Sequence, residues 1–167
     1  MIQKAAQLIV KAQRVVCICH ANPDGDAIGA LLGMGHTLEK AYPEKQILFF
    51  CKDPAPEIFQ FLFGVERVQT DVLLQDGDVI VFLDIAEPKL TGLLDSHSQL
   101  FEDSTLSINI DHHPTNVNFG TVNLIDPDAA SACEIVVEIA DGLGWELDSD
   151  IATCLLTGVY TDTGGLL

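Results

Sequence analysis

Polar residues at positions 3, 4, 7, 11 and 13 among apolar ones give Met1 to Gln13 the spacing of an amphipathic helix. The period changes at Arg14. Arg14-Val15-Val16-Cys17-Ile18-Cys19 is a run of β-branched and small residues closed by Asn22-Pro23 and Asp24-Gly25, which predicts a buried strand ending in a turn. Ala27 to Leu38, rich in Ala, Leu, Gly and Met and free of Pro, predicts a helix whose first residues are Asp24, Gly25 and Asp26. Gln46 to Cys51 predicts a second strand, and Pro56 to Phe63 a short helical or irregular apolar piece. Asp78 to Asp84 is the cleanest strand, apolar on both faces and therefore expected at the centre of a parallel sheet. A helix or loop over Lys89 to His97 leads to a strand at Leu106 to Ile110, which runs straight into Asp111-His112-His113. Asn123 to Ile125 predicts a short edge element. Asp128 to Leu143 predicts a helix ending at Gly142 or Gly144, and Asp148 to Tyr160 a second helix with an acidic first turn, followed by Thr161-Asp162-Thr163-Gly164-Gly165. Strands alternating with helices predict an α/β fold, a mostly parallel sheet with helices on both faces. Ligands in that architecture bind beyond the carboxyl ends of the strands, and three apolar runs here end in His20, Asp84 and Asp111.

A length of 167 residues suits one domain, burying roughly 70% of the surface its unfolded chain would expose. The N-terminal segment lacks the apolar centre and cleavage site of a signal peptide, and no run reaches the eighteen or so apolar residues of a membrane span. A soluble, cytoplasmic protein without a membrane partner is expected. The five cysteines, at 17, 19, 51, 133 and 154, form no C-x-x-C pair and sit inside apolar segments, so they are expected as reduced core residues and not as zinc ligands.

Charge changes the picture further. Residues 1 to 89 hold all 8 basic residues and 12 acidic ones, a net of −4, whereas residues 90 to 167 hold 13 acids and no Lys or Arg, a net of −13. Most of these acids serve solubility. A phosphate backbone would nonetheless be repelled, so any action on a nucleotide requires bound cations or another basic domain. The same need arises locally: His20, Asp24 and Asp26 crowd one loop, with no Lys or Arg between Arg14 and Lys40. Carboxylates at a helix N-terminus are favoured by its dipole, but this does not account for the histidine among them. The collected candidates are His20, Asp24, Asp26, Asp84, Asp111, His112, His113 and Asp162. Oxygen and imidazole donors without thiolates suit manganese, magnesium, iron or zinc, and the many carboxylates favour manganese or magnesium. Two divalent ions would nearly balance the carboxylates. Such a pair lies about 3.5 to 4 Å apart, activates a water to hydroxide and clamps the attacking and leaving oxygens of a phosphoryl displacement.

His20-x-x-x-Asp24-x-Asp26, the strand-terminal Asp84, Asp111-His112-His113 and Asp162 in Thr-Asp-Thr-Gly-Gly resemble the four successive motifs of the DHH phosphoesterase superfamily. The Asp-His-His-Pro-Thr-Asn-x-x-Phe-Gly and Ala-Ser-Ala-x-Glu segments are more similar to its nanoRNase branch, oligoribonucleases that also dephosphorylate 3′-phosphoadenosine 5′-phosphate. The match runs from about Arg14 to Gly165. The resemblance implies a metal-dependent phosphoesterase, a hydrolase of short RNA or of a nucleoside bisphosphate, with two divalent cations, manganese first and magnesium as the alternative. It implies that His20, Asp24 and Asp84 hold one ion, and that Asp26, Asp84, His112 and Asp162 hold the other, with Asp84 bridging. His113 would face the scissile phosphate or protonate the leaving oxygen, Asp111 would orient an imidazole, and Asn22, Asn116 and Ser131 would position phosphate or support ligands.

Residues 1 to 167 are thus expected to form the DHH metal-binding catalytic domain. Family members carry a further C-terminal substrate-binding domain with basic residues, which this sequence lacks, and the apolar end Gly164-Gly165-Leu166-Leu167 reads as a cut through a larger protein. Competing readings are another phosphohydrolase of the superfamily, acting on a cyclic dinucleotide or inorganic pyrophosphate, and a non-catalytic metal-binding module or fragment. A homodimer is left open.

Overall fold

The computed structural model describes residues 1–165. Leu166 and Leu167, on which the expected cut rests, lie outside them. Helix α1 (Ile2–Lys11) leads into β1 (Arg14–Cys19), α2 (Gly25–Ala41) and β2 (Gln46–Phe50). After two short 3-10 turns come β3 (Val79–Leu83), two more such turns at Pro88–Thr91 and Ser98–Phe101, β4 (Leu106–Asp111), β5 (Val122–Ile125), α3 (Ala132–Leu143) and α4 (Ser149–Asp162). The five strands form one all-parallel sheet in the order β2-β1-β3-β4-β5, with β3 at its centre and β5 at an edge.

Strands β1 and β3 are apolar on both sides because each side has a core to fill. Val15, Cys17, Cys19, Val81 and Leu83 pack under α2, α3 and α4, while Val16, Ile18, Ile80 and Phe82 face the opposite core with Phe50, Leu93 and Leu100. Phe82 stacks there on Phe101, and Phe119 leans on both rings. A fully buried Leu or Phe contributes about 1.5–3 kcal/mol. The two faces are covered unequally: the α-helices lie over the first core, and 3-10 turns and loops cover the second.

Two helix boundaries differ from the sequence expectation, and both bear on the site. Helix α3 begins at Ala132 and not near Asp128, because Ser131 caps it with its hydroxyl oxygen accepting from Glu134 N. Helix α4 runs on to Asp162, so the Thr161-Asp162 pair is its last turn and not a loop after it. At the other end of α4, Asp148 caps its start by accepting from Asp150 N and Ile151 N. Helix α3 stops at Gly144, whose φ of +68° places it in the left-handed region.

The chain leaves β1 over one face through α2 and leaves β3 over the other through 3-10 turns. The strand order therefore reverses between β1 and β3, and a crevice opens at their carboxyl ends. Among the described residues no helix is long and apolar enough to cross a membrane. All five cysteines are buried free thiols.

Candidate metal centre

His20 follows β1 directly. Its Nδ1–H donates to Ala21 O at 2.8 Å, so the neutral ring presents its lone pair at Nε2. That nitrogen lies 3.7 Å from Asp24 Oδ1 and 3.4 Å from Asp84 Oδ2. Asp24 is the N-cap of α2, accepting from Ala27 N at 3.0 Å. Asp84 follows β3 in a left-handed conformation, φ +58°, which costs an L-residue about 1 kcal/mol and which Asp tolerates better than most. The twist turns its carboxylate over the strand ends, where it is 3% exposed.

The second cluster forms beside the first. His112 Nε2 lies 3.7 Å from Asp26 Oδ2, 3.8 Å from Asp84 Oδ1 and 3.5 Å from Asp162 Oδ2. Asp26, fully buried in the first turn of α2, is held by the N-terminus of α3: Ala132 N donates to Oδ2 at 2.7 Å and Cys133 N to Oδ1 at 3.0 Å. Asp162 reaches this cluster because α2 and α4 touch closely. A methyl group on Gly25 would stand 2.2 Å from Thr161 Oγ1, and one on Gly158 would stand 2.7 Å from Asp26 Oδ1.

His113 stands on the rim, its side chain 46% exposed. Its Nδ1–H donates to Asp111 Oδ1 at 2.8 Å and lies 3.5 Å from Asp84 Oδ1. Asp111 is completely buried at the end of β4, and Asn116 Nδ2 donates to its other oxygen at 2.6 Å and to Ile85 O at 3.0 Å. Asn109 Nδ2 and Asn118 N both donate to Asn116 Oδ1, at 3.3 and 2.7 Å.

His20, Asp24, Asp26, Asp84, Asp111, His112, His113 and Asp162 thus meet at one crevice, in three groups of compatible spacing: His20 with Asp24 and Asp84, Asp26 with His112 and Asp162, and Asp84 with both rim histidines. The expected substrate contacts divide. Asn22 is exposed beside His20, in a left-handed turn whose backbone N–H donates to Asp53. Asn116 spends its amide on Asp111 and its own loop, and Ser131 is buried as the cap of α3, so these two support the site from behind and do not face a cleft. Asn109 was not anticipated, although an amide inside the apolar run Leu106 to Ile110 is a signal in itself. His36 and His97 lie elsewhere: His36 bridges Glu39 and Phe63 O, and His97 meets Ser96.

The electrostatics call for positive charge. Burial opposes a charged His20, but the Asp24 and Asp84 carboxylates outweigh it and carry its pKa up to about 11. The same imidazole, outweighing desolvation, draws Asp24 down to about 2. Burial raises Asp84, with Asp26 and Asp24 adding to it against His20; burial and Asp26 likewise raise Asp162. Asp84 Oδ1 and His112 Nε2 are buried without a hydrogen-bond partner. An acceptor oxygen and an imidazole nitrogen left bare and 3.8 Å apart fit a divalent cation between them.

Residues 14–159 match the family model of the DHH family, N-terminal domain. The chain belongs to the DHH family. It is 38% identical over 147 residues to the bifunctional oligoribonuclease and PAP phosphatase NrnA of Thermus thermophilus, covering 87% of this chain and 42% of that protein. It is 30% identical over 172 residues to the protein of the same name in Mycoplasma pneumoniae, covering 99% of this chain and 51% of that one. The crystal structure of an exopolyphosphatase-related protein from Bacteroides fragilis superposes with a TM-score of 0.87 at 26% identity, over 99% of this chain and 50% of that one. The chain spans about half the length of the curated relatives it matches.

Proposed function

We propose that these residues form the catalytic domain of a divalent-metal-dependent phosphoesterase that hydrolyses short oligoribonucleotides or 3′-phosphoadenosine 5′-phosphate. The observation that carries the reading is Asp84, whose Oδ2 faces His20 and whose Oδ1, without a partner, faces His112. In this reading His20, Asp24 and Asp84 hold one ion, and Asp26, Asp84, His112 and Asp162 hold the other. Manganese is the preferred ion and magnesium the alternative, since all six donors are oxygen or imidazole nitrogen. Divalent ions bound there supply positive charge for the phosphoryl oxygens and the acidity that makes water a nucleophile at neutral pH.

The chain's own groups do the rest. Ala21 O and Ala129 O face the Nδ1 atoms of His20 and His112, at 2.8 and 3.4 Å, and so direct both Nε2 lone pairs inward. Asp111 accepts the hydrogen bond of His113 Nδ1–H, which leaves Nε2 of this half-exposed ring to donate an N–H to a phosphoryl or leaving oxygen. Burial opposes the charge on His113, but in the metal-free protein Asp111, with Asp84 and Asp162, raises its pKa. The acidic half-chain offers little grip for an anionic substrate, and a second, basic substrate-binding domain, as long as the part of the relatives that this chain does not span, is proposed to supply it.

The test is hydrolysis of a ribodinucleotide and of 3′-phosphoadenosine 5′-phosphate by the 167-residue chain saturated with manganese. Release of mononucleotide or of inorganic phosphate is expected, abolished by chelation. Turnover only of a cyclic dinucleotide or of pyrophosphate would move the chain to another branch. No turnover of any of these, with metal bound, would contradict a self-sufficient catalytic domain.

A further inference from the structure

The crevice that must accept an anion is ringed by carboxylates, and five of the eight basic residues are committed to ion pairs elsewhere. Arg14 pairs with Asp78, Lys40 with Glu146 and Asp148, Lys45 with Glu44, Arg67 with Glu39 and Lys89 with Glu87. Among the described residues Lys4, Lys11 and Lys52 have no carboxylate partner, and Lys4 and Lys11 sit on α1, which contributes nothing to the centre. Lys52 lies beside the loop that carries His20. It follows β2, one strand spacing or about 4.8 Å from β1, in a segment laced to the loop that carries His20. Cys51 Sγ donates to His20 O at 3.3 Å and Asn22 N donates to Asp53 Oδ2 at 2.8 Å, so residues 51 and 53 are tied to residues 20 and 22. Lys52 falls between them, level with Ala21.

The stem of Lys52 is placed by packing. A methyl group on Gly92, which has φ +68°, would stand 3.2 Å from Lys52 Cγ and 3.4 Å from Ala21 Cβ, so the aliphatic chain crosses Gly92 beside Ala21. Ala21 N in turn donates to Leu90 O at 2.8 Å, closing the three strand-end loops on one another. The residue is exposed. It forms no ion pair with its neighbour Asp53, whose Oδ2 accepts from Asn22 N. A lysine on a stem held against a tied loop, with its charge free, suits a phosphate oxygen. It stands on the His20 side of the centre, across from His113 on the β4 side.

We propose that Lys52 binds the phosphate that is not cleaved, in a substrate carrying two phosphates, such as a nucleoside bisphosphate or the next phosphodiester of a short oligonucleotide. The inference rests on the phosphoesterase reading, since it takes the scissile phosphate to lie between His20 and His113. It assigns this chain one contact of the substrate grip, so a nucleotide is oriented before any further domain closes on it.

The test is calorimetric binding, with manganese present, of the non-hydrolysable bis(methylenephosphonate) analogue of 3′-phosphoadenosine 5′-phosphate and of the two corresponding monophosphonates. The chain is expected to prefer the bisphosphonate by about tenfold, the worth of one charge-assisted hydrogen bond. In Lys52→Ala the ratio of affinities should collapse to about 1, and in Lys52→Arg it should survive within about threefold. A preference that persists in Lys52→Ala, no preference in the parent chain, or no binding of any analogue would overturn the proposal. Turnover of 3′-phosphoadenosine 5′-phosphate by the same sample is read separately: its absence with the preference intact counts against the phosphoesterase and leaves the Lys52 contact standing.

Discussion

Strands β1 and β3 carry a polar pair at each end, and the two pairs are built to opposite specifications. At the amino end Arg14 Nε donates to Asp78 Oδ1 at 2.8 Å and Nη2 to Oδ2 at 2.6 Å, Nη2 also reaches Leu73 O, and Gln75 N caps the carboxylate at 2.8 Å. No buried side-chain atom of the pair lacks a partner, and the pair closes one end of the sheet. At the carboxyl end His20 and Asp84 are 3.4 Å apart, with Asp24 and Asp26 nearby, and Asp84 Oδ1 and His112 Nε2 are buried with nothing to bond. A buried polar group left unmatched costs about 1–3 kcal/mol, more when charged, so a fold that keeps several together has kept a place for a ligand. Satisfaction marks the structural end and its absence marks the functional one.

The largest expected difference comes from the two aspartates. Asp84→Asn, which tolerates the same left-handed turn, should lower turnover by about a thousandfold or more, as measured by initial rates at saturating manganese, while leaving the metal-free fold intact. Asp78→Asn should do the reverse: it leaves Arg14 without its counter-charge and should cost about 3–5 kcal/mol in denaturant unfolding, with metal affinity per folded molecule unchanged. Equal effects of both variants on turnover would erase the distinction between the ends. A smaller effect is expected one step behind the centre. Asn116→Ala frees Asp111 and through it His113, and should cost about 10–100-fold in kcat with metal content retained, a split that simple unfolding would not give.

A pH-dependent effect sharpens the same contrast. In the metal-free protein the pKa of His20 is raised to about 11, so the stability it contributes is fully present below about 6.5, the unfolded value, and drains away as pH rises toward 11. Arg14, raised further from its already high ordinary value by its hydrogen bond to Asp78, stays charged across that window. Thermal melts of metal-free protein should therefore show a downward slope across it that is flattened in His20→Gln. An unchanged slope in that variant would contradict the assignment.

The fold and the centre were legible in the sequence to different depths. The strand runs ending in His20 and Asp84 were plain because β1 and β3 are buried on both faces and stay apolar up to the point where chemistry begins, whereas β4, ending in Asp111, alternates Ile108 and Ile110 with buried Ser107 and Asn109. The spacing of His20, Asp24 and Asp26 was equally plain, since loop and helix start lie in one local segment. What periodicity does not carry is contact between distant segments. Nothing at Ser131 distinguishes a substrate contact from a helix cap until α3 is seen to start at Ala132 with its first amides on Asp26. Asn116 looks the same whether it meets a phosphate or the back of Asp111. Lys52 is invisible as a site residue because its place comes from parallel pairing of β1 with β2 and from a glycine forty residues away in sequence.

Asp84 is proposed to join the unmatched atoms at the carboxyl end into one centre for two ions. The most direct measurement is calorimetric titration of manganese into metal-free protein and into Asp84→Asn. The account predicts two ions bound to the parent chain, and in the variant the loss of at least one of them with affinity for the other reduced by more than about a hundredfold, beyond what the removal of a supporting group costs. Two ions bound to Asp84→Asn with the parent's affinity would contradict it.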